Sequence, residues 1–455
     1  MLTSSDHRRP NFVLLTVECW RGDQLGALTP CISELATESI TFSNAQTCGG
    51  WTVPAMTALM SSAYASMHGG TAVAMRTPSR KPVAECLLES GYWTAGFTAN
   101  QVCGTSLGFH RGFGAFWVES RRKAPPASED ALRHKGDIDK LCALGVHPSA
   151  TDDFCDAAQM TSSAIDWLNT CKTDYPFFLW VHYFDPHWPC LTPGINHGEQ
   201  DLFNAWNDRQ IFRKEVRPAR GRYDPGPEAR ERWFNRYRSA VASTDKEIGR
   251  LTAVLRSRDD WGNTVVVATG DHGEEMYEHG TWHHSWNRLY SEGIHVPFVI
   301  RIPGVSSKKI AQAVSHIDLA PTILDYAGVR QPRSMLGASL RPFVSGVPLP
   351  PRAVYSEMLG HENSFSYRLA ILDGDWKYIY DLEDPLHSQL FRLDEDPTEK
   401  NNLRDHFPSV FRQFERDRLA HVTHGLIDLM SRQLVSGQSY QEELVKQQLV
   451  ALGYL

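Results

Sequence analysis

No apolar run in this 455-residue chain is long enough to span a bilayer. The opening stretch MLTSSDHRRPNFVLL passes straight into a strand pattern, without the apolar segment and small-residue cleavage site of a secretory leader. Both absences make a cytoplasmic protein with no membrane anchor the expectation. Positive charge is not in excess either: 46 Lys and Arg stand against 53 Asp and Glu, a formal −7, so nothing global invites nucleic acid. The nine cysteines are odd in number and lack CxxC spacing, which suits reduced thiols used as small core residues. Internal repeats and low-complexity tracts are missing too. What remains is 42% hydrophobic, ordinary for a substantial core, and long enough for one large α/β unit plus an appendage.

Several short apolar runs each deliver polar residues at their ends. Thr264–Thr269 has the β-branched, apolar pattern of a strand buried on both faces, and it runs into Gly270-Asp271-His272-Gly273-Glu274. Open α/β sheets bind ligands at the carboxyl ends of their strands, which is where Asp271 and His272 fall. A hard carboxylate beside an imidazole suits a divalent metal such as Zn, Mn or Mg. The bland alternative is a turn with a surface Asp and a capping His. Asn11–Val17 is a second run and presents Glu18, a further candidate ligand, while Arg21 and Asp23 read as a local ion pair. Pro176–Tyr183 is a third, ending in Phe184-Asp185-Pro186-His187-Trp188-Pro189, where two prolines fix the aim of Asp185 and His187. Thr94–Thr98 is a strand that delivers Asn100.

Thr52 stands where Gly49 and Gly50 lead into a helix with Pro54 in its first turn. A hydroxyl there sits in positive potential among free amides, favourable for an anionic ester, and it is equally a ready N-cap. His279, His283 and His284 crowd EHGTWHHSW, and the spacing leaves open which of them turns inward. Arg209, Arg213, Lys214, Arg217, Arg220 and Arg222 read as a solvated basic face or as a lid that attracts anions. Trp20, Trp51, Trp117, Trp188, Trp282 and Trp286 lie near strand ends, as core packing or as the floor of an apolar or sugar-like pocket. Pro30–Ser39, Asp152–Cys171, Glu228–Arg256 and Asp318–Ala327 read as helices, Ile40–Phe42 as an edge strand, and Arg121–Pro148 as an exposed excursion. Close-set strands near Val354–Glu357, Phe365–Leu372, Trp376–Tyr380 and Leu390–Leu393 predict an antiparallel sheet, and Tyr440–Leu455 a terminal helix.

NFVLLTVECWRGDQLG, TPCISELATESITFSNA, PFFLWVHYFDPHWP, DHGEEMYEHG, VPFVIRIPG, HIDLAPTILDYAG and LFRLDEDPTEKNNL follow one another in this order. Through them the chain resembles the sulfatase branch of the alkaline-phosphatase superfamily along nearly its whole length. The resemblance implies an α/β fold, a central mixed sheet sandwiched by helices over 10–347, with a smaller C-terminal α+β subdomain over 348–455. It also implies a metal-centred cleft at the strand ends. The departures are informative. Sulfatases carry Cys or Ser in C/S-x-P-x-R, oxidised to formylglycine; Thr52-Val53-Pro54-Ala55-Met56 stands here, and threonine cannot be so oxidised. Glu18-Cys19 replaces the usual Asp-Asp, and the segment around Asn100 lacks a sulfate-gripping lysine.

Glu, Thr and Asp-His is the ligand set of the lipoteichoic acid synthases and lipid A phosphoethanolamine transferases. That likeness implies that Glu18, Thr52, Asp271 and His272 bind one divalent metal ion (Mn, Zn, Mg or Ca) and that Thr52 is also the nucleophile. Asn100 would steady ester oxygens, and His187 or His284 would protonate the leaving group. The expected activity is hydrolysis or transfer of a phosphodiester or phosphonate ester through a covalent Thr52 intermediate. The expected partner is a small-molecule or glycan anionic ester; the oligomeric state, a homo-oligomer included, is left open. Three rivals stand beside it: a sulfuric ester hydrolase or sulfuryl transferase; a two-metal phosphodiesterase using Asp185, His187 and His284; and a non-catalytic anion binder.

Overall fold

The apolar runs become the middle of an eight-stranded sheet. The computed structural model describes residues 9–68, 80–118, 157–171, 175–188, 190, 208, 211–216, 218–284, 288–347, 349–359 and 367–436. The excursion expected at Arg121–Pro148, the helix expected at Tyr440–Leu455 and Trp286 lie outside them. In chain order the strands are β1 (Asn11–Val17), β2 (Ile40–Phe42), β3 (Ala45–Gln46), β4 (Trp93–Thr98), β5 (Ala115–Val118), β6 (Phe177–Tyr183) and β7 (Thr264–Gly270). They continue with β8 (His295–Val296), β9 (Phe298–Arg301), β10 (Lys308–Ile310), β11 (Val314–Ser315), β12 (Val354–Leu359), β13 (Tyr367–Asp373), β14 (Trp376–Asp381) and β15 (Gln389–Arg392). The main sheet runs β10-β2-β9-β7-β1-β6-β4-β5, with β9 antiparallel to both neighbours and the other pairs parallel. Ile40–Phe42 is therefore not an edge strand. The edge falls to β10, whose exposed Lys308 and Lys309 suit a strand with one unpaired side.

The longer helices are α1 (Pro30–Ala36), α2 (Thr52–Ser61), α3 (Val83–Glu89), α4 (Ala157–Thr170), α5 (Pro227–Arg256), α6 (Leu319–Ala327) and α7 (Pro408–Ser436). Side chains alternate along a strand, so the sheet presents two apolar faces. Phe12 and Leu14 pack with residues of α2, α3 and α6, whereas Val13 and Leu15 pack with α1, α4 and α5. Burying each such side chain contributes about 1.5–3 kcal/mol, and a one-residue slip would exchange the two faces. Register is thereby fixed, and register builds the site. Val17 is level with both Tyr183 and Gly270. Glu18 and Asp271 then leave adjacent strands at the same height, their amides bonded to the Tyr183 carbonyl (2.9 Å) and the Val17 carbonyl (3.1 Å).

Beyond the main sheet, β12-β13-β14-β15 form the expected antiparallel sheet. One face packs Tyr367, Leu369, Tyr378 and Leu390 against Phe414 and Val422 of α7, the helix that an α+β subdomain implies, at residues the sequence reading did not single out. The other face sets Ala370, Ile379 and Phe391 against Leu289, Tyr290, Ile294 and the half-buried Trp51. The Glu357 amide of β12 donates to the Cys48 carbonyl (2.9 Å), and the Gly50 amide to the Glu357 carbonyl (3.2 Å). The C-terminal sheet is thus stitched to the segment that leads into Thr52. Among the described residues, no helix is long and apolar enough to cross a membrane. Cys19, Cys48, Cys86, Cys103, Cys171 and Cys190 are free and buried, as their reading as core residues expects.

Candidate active site

Thr52 opens α2, but it is not the cap. Trp51 holds that position without a side-chain capping bond, which leaves the Thr52 hydroxyl for other partners. It donates to Glu18 Oε1 at 2.5 Å and lies 3.3 Å from His272 Nε2. The first helical bond is from the Ala55 amide to the Trp51 carbonyl (3.2 Å). Pro54 has no N–H, so the amides of Thr52 and Val53 remain at the positive end of α2.

The glycines around Asp271 and His272 serve close approach. A Cβ on Gly270 would meet the Trp20 carbonyl oxygen at 2.4 Å, and one on Gly273 the Glu292 carbonyl oxygen at 1.9 Å. Cys19, next to Glu18, has φ 56°, left-handed backbone that non-glycine residues adopt at a cost. Two bonds hold it there: its amide donates to Asp271 Oδ1 (2.9 Å), and the Tyr237 hydroxyl donates to its carbonyl (2.8 Å).

Glu18, Thr52, Asp271 and His272 meet, all four buried. His272 Nε2 lies 3.5 Å from Glu18 Oε1 and 3.4 Å from Asp271 Oδ2. Its Nδ1 donates to the Gly273 carbonyl (2.7 Å), which turns Nε2 toward the carboxylates. Asp271 Oδ1 also accepts the His272 amide (2.7 Å), yet Asp271 Oδ2 has no hydrogen-bond partner. An orphaned buried carboxylate oxygen is costly.

Charge tells the same story. Burial and the neighbouring Glu18 push Asp271 up to about 7. Burial alone would lower His272, but the Asp271 charge and Glu18 outweigh it and raise the imidazole to about 9. The cluster is short of positive charge. Two hard carboxylates, a hydroxyl and an imidazole aimed at one point fit a divalent cation, and Glu18, Asp271 and His272 form a group able to hold one.

A second ring of side chains fixes Glu18. Its Oε2 accepts from Asn100 Nδ2 (2.9 Å) and lies 2.8 Å from His182 Nε2. Asn100 therefore holds the Glu18 carboxylate, while its Oδ1 accepts the Val102 amide (3.0 Å). His182 Nδ1 lies 2.9 Å from the Thr16 hydroxyl, which accepts the Trp180 indole N–H at 2.9 Å. Burial would raise Glu18, but His182 and His272 hold it well below the usual carboxylate range. Sequence reasoning missed His182; an imidazole inside an otherwise apolar strand was the available signal.

His187, His283 and His284 bring ring nitrogens within 4.8 Å of one another, and the His284 ring sits 4.7 Å from that of His272. Burial, with His284 beside it, lowers His187 to about 4, and His187 Nδ1 donates to the Trp188 carbonyl (2.8 Å). His284 Nδ1 is 3.1 Å from Glu274 Oε2, a carboxyl that burial pushes up to about 7 and that the sequence reading did not single out. Asp185 accepts the Ala157 amide (3.3 Å), and the ring nitrogens that cluster with His187 and His284 are those of His283. His279 is also turned away, 2.6 Å from Glu292 and stacked on Tyr290. Trp188, Trp233 and Trp282 pack on one another as core, while Trp117 is exposed.

Comparison with known proteins matches residues 10–329 to the Sulfatase family model and residues 277–420 to the model for the N-sulphoglucosamine sulphohydrolase C-terminal region. Arylsulfatase K of Mus musculus is 27% identical over 286 residues, 55% of this chain and 51% of that protein. The N-acetylglucosamine-6-O-sulfatase of Bacteroides thetaiotaomicron is 30% identical over 181 residues, 38% of this chain and 32% of that protein. These matches span about half or less of the relatives' lengths. The phosphonate monoester hydrolase of Agrobacterium radiobacter superposes with a TM-score of 0.70 at 19% identity, covering 92% of this chain and 96% of that one. At that identity the likeness shows the fold. Since the Sulfatase model matches well over half of its residues, the chain belongs to the sulfatase family.

Proposed function

We propose that this protein is a metal-dependent hydrolase of anionic phosphodiesters or phosphonate esters that works through a covalent bond from Thr52 to phosphorus. The observation that carries the reading is the Thr52 hydroxyl itself, uncapped, 2.5 Å from Glu18 Oε1 and 3.3 Å from His272 Nε2 at the amino end of α2. Bound among Glu18, Thr52, Asp271 and His272, a divalent cation supplies Lewis-acid chemistry that makes the hydroxyl acidic near neutral pH. In the first displacement the Thr52 oxygen, its proton released to solvent, bonds to phosphorus and the bond to the leaving oxygen breaks. The amides of Thr52 and Val53 steady the remaining ester oxygens.

The leaving oxygen takes its proton from His284, oriented by Glu274. His187 is neutral at pH 7, and with Nδ1–H given to the Trp188 carbonyl its Nε2 is a proton acceptor. It serves as base for the water that attacks phosphorus in the second displacement, which returns the Thr52 oxygen. An acceptor alcohol in place of that water would make the reaction a transfer.

Phosphorus is favoured because threonine offers no aldehyde through which a sulfated intermediate could collapse. A sulfuric ester substrate is the second reading, supported by the likeness to arylsulfatase K. The test uses an aryl phosphodiester, an aryl phosphonate ester and an aryl sulfate with Mn, Zn or Ca. The wild type turns over a phosphorus ester, Thr52→Ala loses roughly 10³-fold or more of kcat, and the Thr52 peptide carries a phosphoryl adduct by exact mass. A sulfuryl adduct selects the second reading. Unchanged turnover of all three esters in Thr52→Ala overturns both.

A further inference from the structure

The chemistry above uses His187 and His284 but not His283, whose ring nitrogens cluster with theirs. His283 has φ 78°, left-handed backbone that a β-carbon makes costly, and its amide donates to the Glu275 carbonyl (3.0 Å). Neighbours in an extended chain point to opposite faces. This kink instead stacks the His283 and His284 rings, with centroids 4.0 Å apart and planes at 28°. The His187 ring stands across from both, 5.1 Å from His284 and 5.9 Å from His283. His283 and His284 are buried, and the Phe212 ring packs 4.9 Å from that of His283.

Three imidazoles so placed make a nitrogen site for a cation. With no ring nitrogen more than 4.8 Å from another, a point exists within about 2.8 Å of all three, and shifts of roughly 0.7 Å reach the zinc–imidazole bond length of about 2.0–2.1 Å. Two of the rings are already held from behind as metal-bound histidines are. His187 Nδ1 donates to the Trp188 carbonyl (2.8 Å), and His284 Nδ1 lies 3.1 Å from Glu274 Oε2. An ion would then take Nε2 of each. The donors differ in kind from those around Thr52. Glu18, Thr52 and Asp271 offer hard oxygens, which suit Mg, Ca and Mn, whereas imidazoles alone suit Zn and reject Ca and Mg.

We propose that His187, His283 and His284 form a second, inhibitory metal site, selective for zinc over calcium or magnesium. The proposal rests on the roles given above to His187 and His284 and adds their regulation. His187 Nε2 cannot take a proton from water while it is bonded to an ion, and a His284 Nε2 bonded to an ion has no proton for the leaving oxygen. One zinc at the Thr52 site supports turnover, and a second stops it. The His272 and His284 rings are 4.7 Å apart, so repulsion from an ion at the first site makes the second the weaker of the two.

The test titrates Zn into chelator-treated full-length protein by calorimetry, which reads the sites without turnover. Wild type is expected to bind two equivalents of Zn, the second more weakly, and one of Ca or Mg. His283→Asn should keep the first equivalent and raise the Kd of the second roughly 100-fold, more than loss of an outer partner costs. Asparagine tolerates left-handed backbone, and an unchanged melting temperature in chelator shows that the variant is folded. In ester assays on Mn-loaded protein, His283→Asn should match the wild-type kcat without Zn and need roughly 10-fold more Zn, or more, for half-inhibition. A single Zn equivalent in wild type, or a second that His283→Asn retains, overturns the site. Loss of the second equivalent in Cys19→Ser but not in His283→Asn also overturns it, by moving the ion to Cys19, His272 and His284, a group equally closely spaced. A second equivalent that raises turnover overturns the inhibitory role. Two equivalents, one of them dependent on His283, with no ester turnover in any metal form would sink the Thr52 chemistry and keep the metal site.

Discussion

Two buried carboxylates, Asp271 and Glu357, are treated in opposite ways by the same protein. Glu357 has partners for both oxygens: Oε2 accepts the Ser66 amide (2.7 Å), and Oε1 lies 2.8 Å from His421 Nε2 of α7. Burial would raise this carboxyl, but the bond to His421 and its charge hold it below the ordinary value. The same sheet pairs a second buried carboxylate with a cation, Glu399 with Lys377 of β14 at 2.5 Å. Asp271 has Glu18 as its neighbour, one oxygen with no hydrogen-bond partner, and a carboxyl pushed up to about 7. Buried charge in the C-terminal sheet is balanced within the chain. At the ends of β1 and β7 the carboxylates are not balanced in that way, which fits the divalent cation of the proposed function. The difference separates a brace from a working site.

The largest expected effect comes from the one group at the working site that carries no charge. Thr52→Val keeps the shape of the side chain and removes its hydroxyl. It is expected to lower kcat roughly 10³-fold or more while moving the melting temperature of chelator-treated protein by a few degrees at most; loss of fold in its place would make Thr52 a brace like Glu357. Glu357→Gln should do the converse, costing about 2–3 kcal/mol in urea unfolding, since a buried charged hydrogen bond goes, with metal affinity unchanged. A smaller effect is expected at His182. His182→Asn removes one support of Glu18, and metal affinity should fall roughly 10- to 100-fold, with activity recovered by excess divalent ion; equal loss at all metal concentrations would assign His182 to catalysis.

The smallest effect is in pH. A carboxyl lowered on folding contributes stability that is fully present above its unfolded value, 4.5 for Glu357, and is lost as pH falls through the folded one. The stability gap between wild type and Glu357→Gln should therefore stay constant from pH 7 to about 5 and close below that. A gap that persists at pH 3 would show that packing, not charge, is what Glu357 contributes.

How far the sequence carries differs between the same two regions. The runs around β1, β6 and β7 are apolar at nearly every position, so their burial and the polar residues at their ends are legible without coordinates. Glu18, Asp271 and His272 were placed at strand ends on that basis, and parallel register does bring them together. Thr52 was harder. Its local pattern reads as an N-cap, and the distinction from a first-turn position depends on the backbone of Trp51, which no pattern reports. His182 was hidden because a buried strand of seven residues has no visible inward or outward face. Helix α7 is hard to read because its apolar residues are spread around the helix, so Phe414 and Val422, which dock on the C-terminal sheet, belong to no clear apolar stripe. Ile40–Phe42 reads as an edge strand, although the edge falls to a strand marked by lysines.

The most direct test of the contrast is the melting temperature of Asp271→Asn against wild type, with chelator and with added Mn, Zn or Ca. The introduced carboxamide would keep an oxygen acceptor for the amides of Cys19 and His272 while removing charge from an acid-rich cluster. The account predicts that chelated Asp271→Asn melts no lower than chelated wild type, and that divalent ion raises the wild-type melting temperature but not that of the variant. A variant several degrees less stable than wild type in chelator, and shifted by metal as much as wild type is, would contradict it.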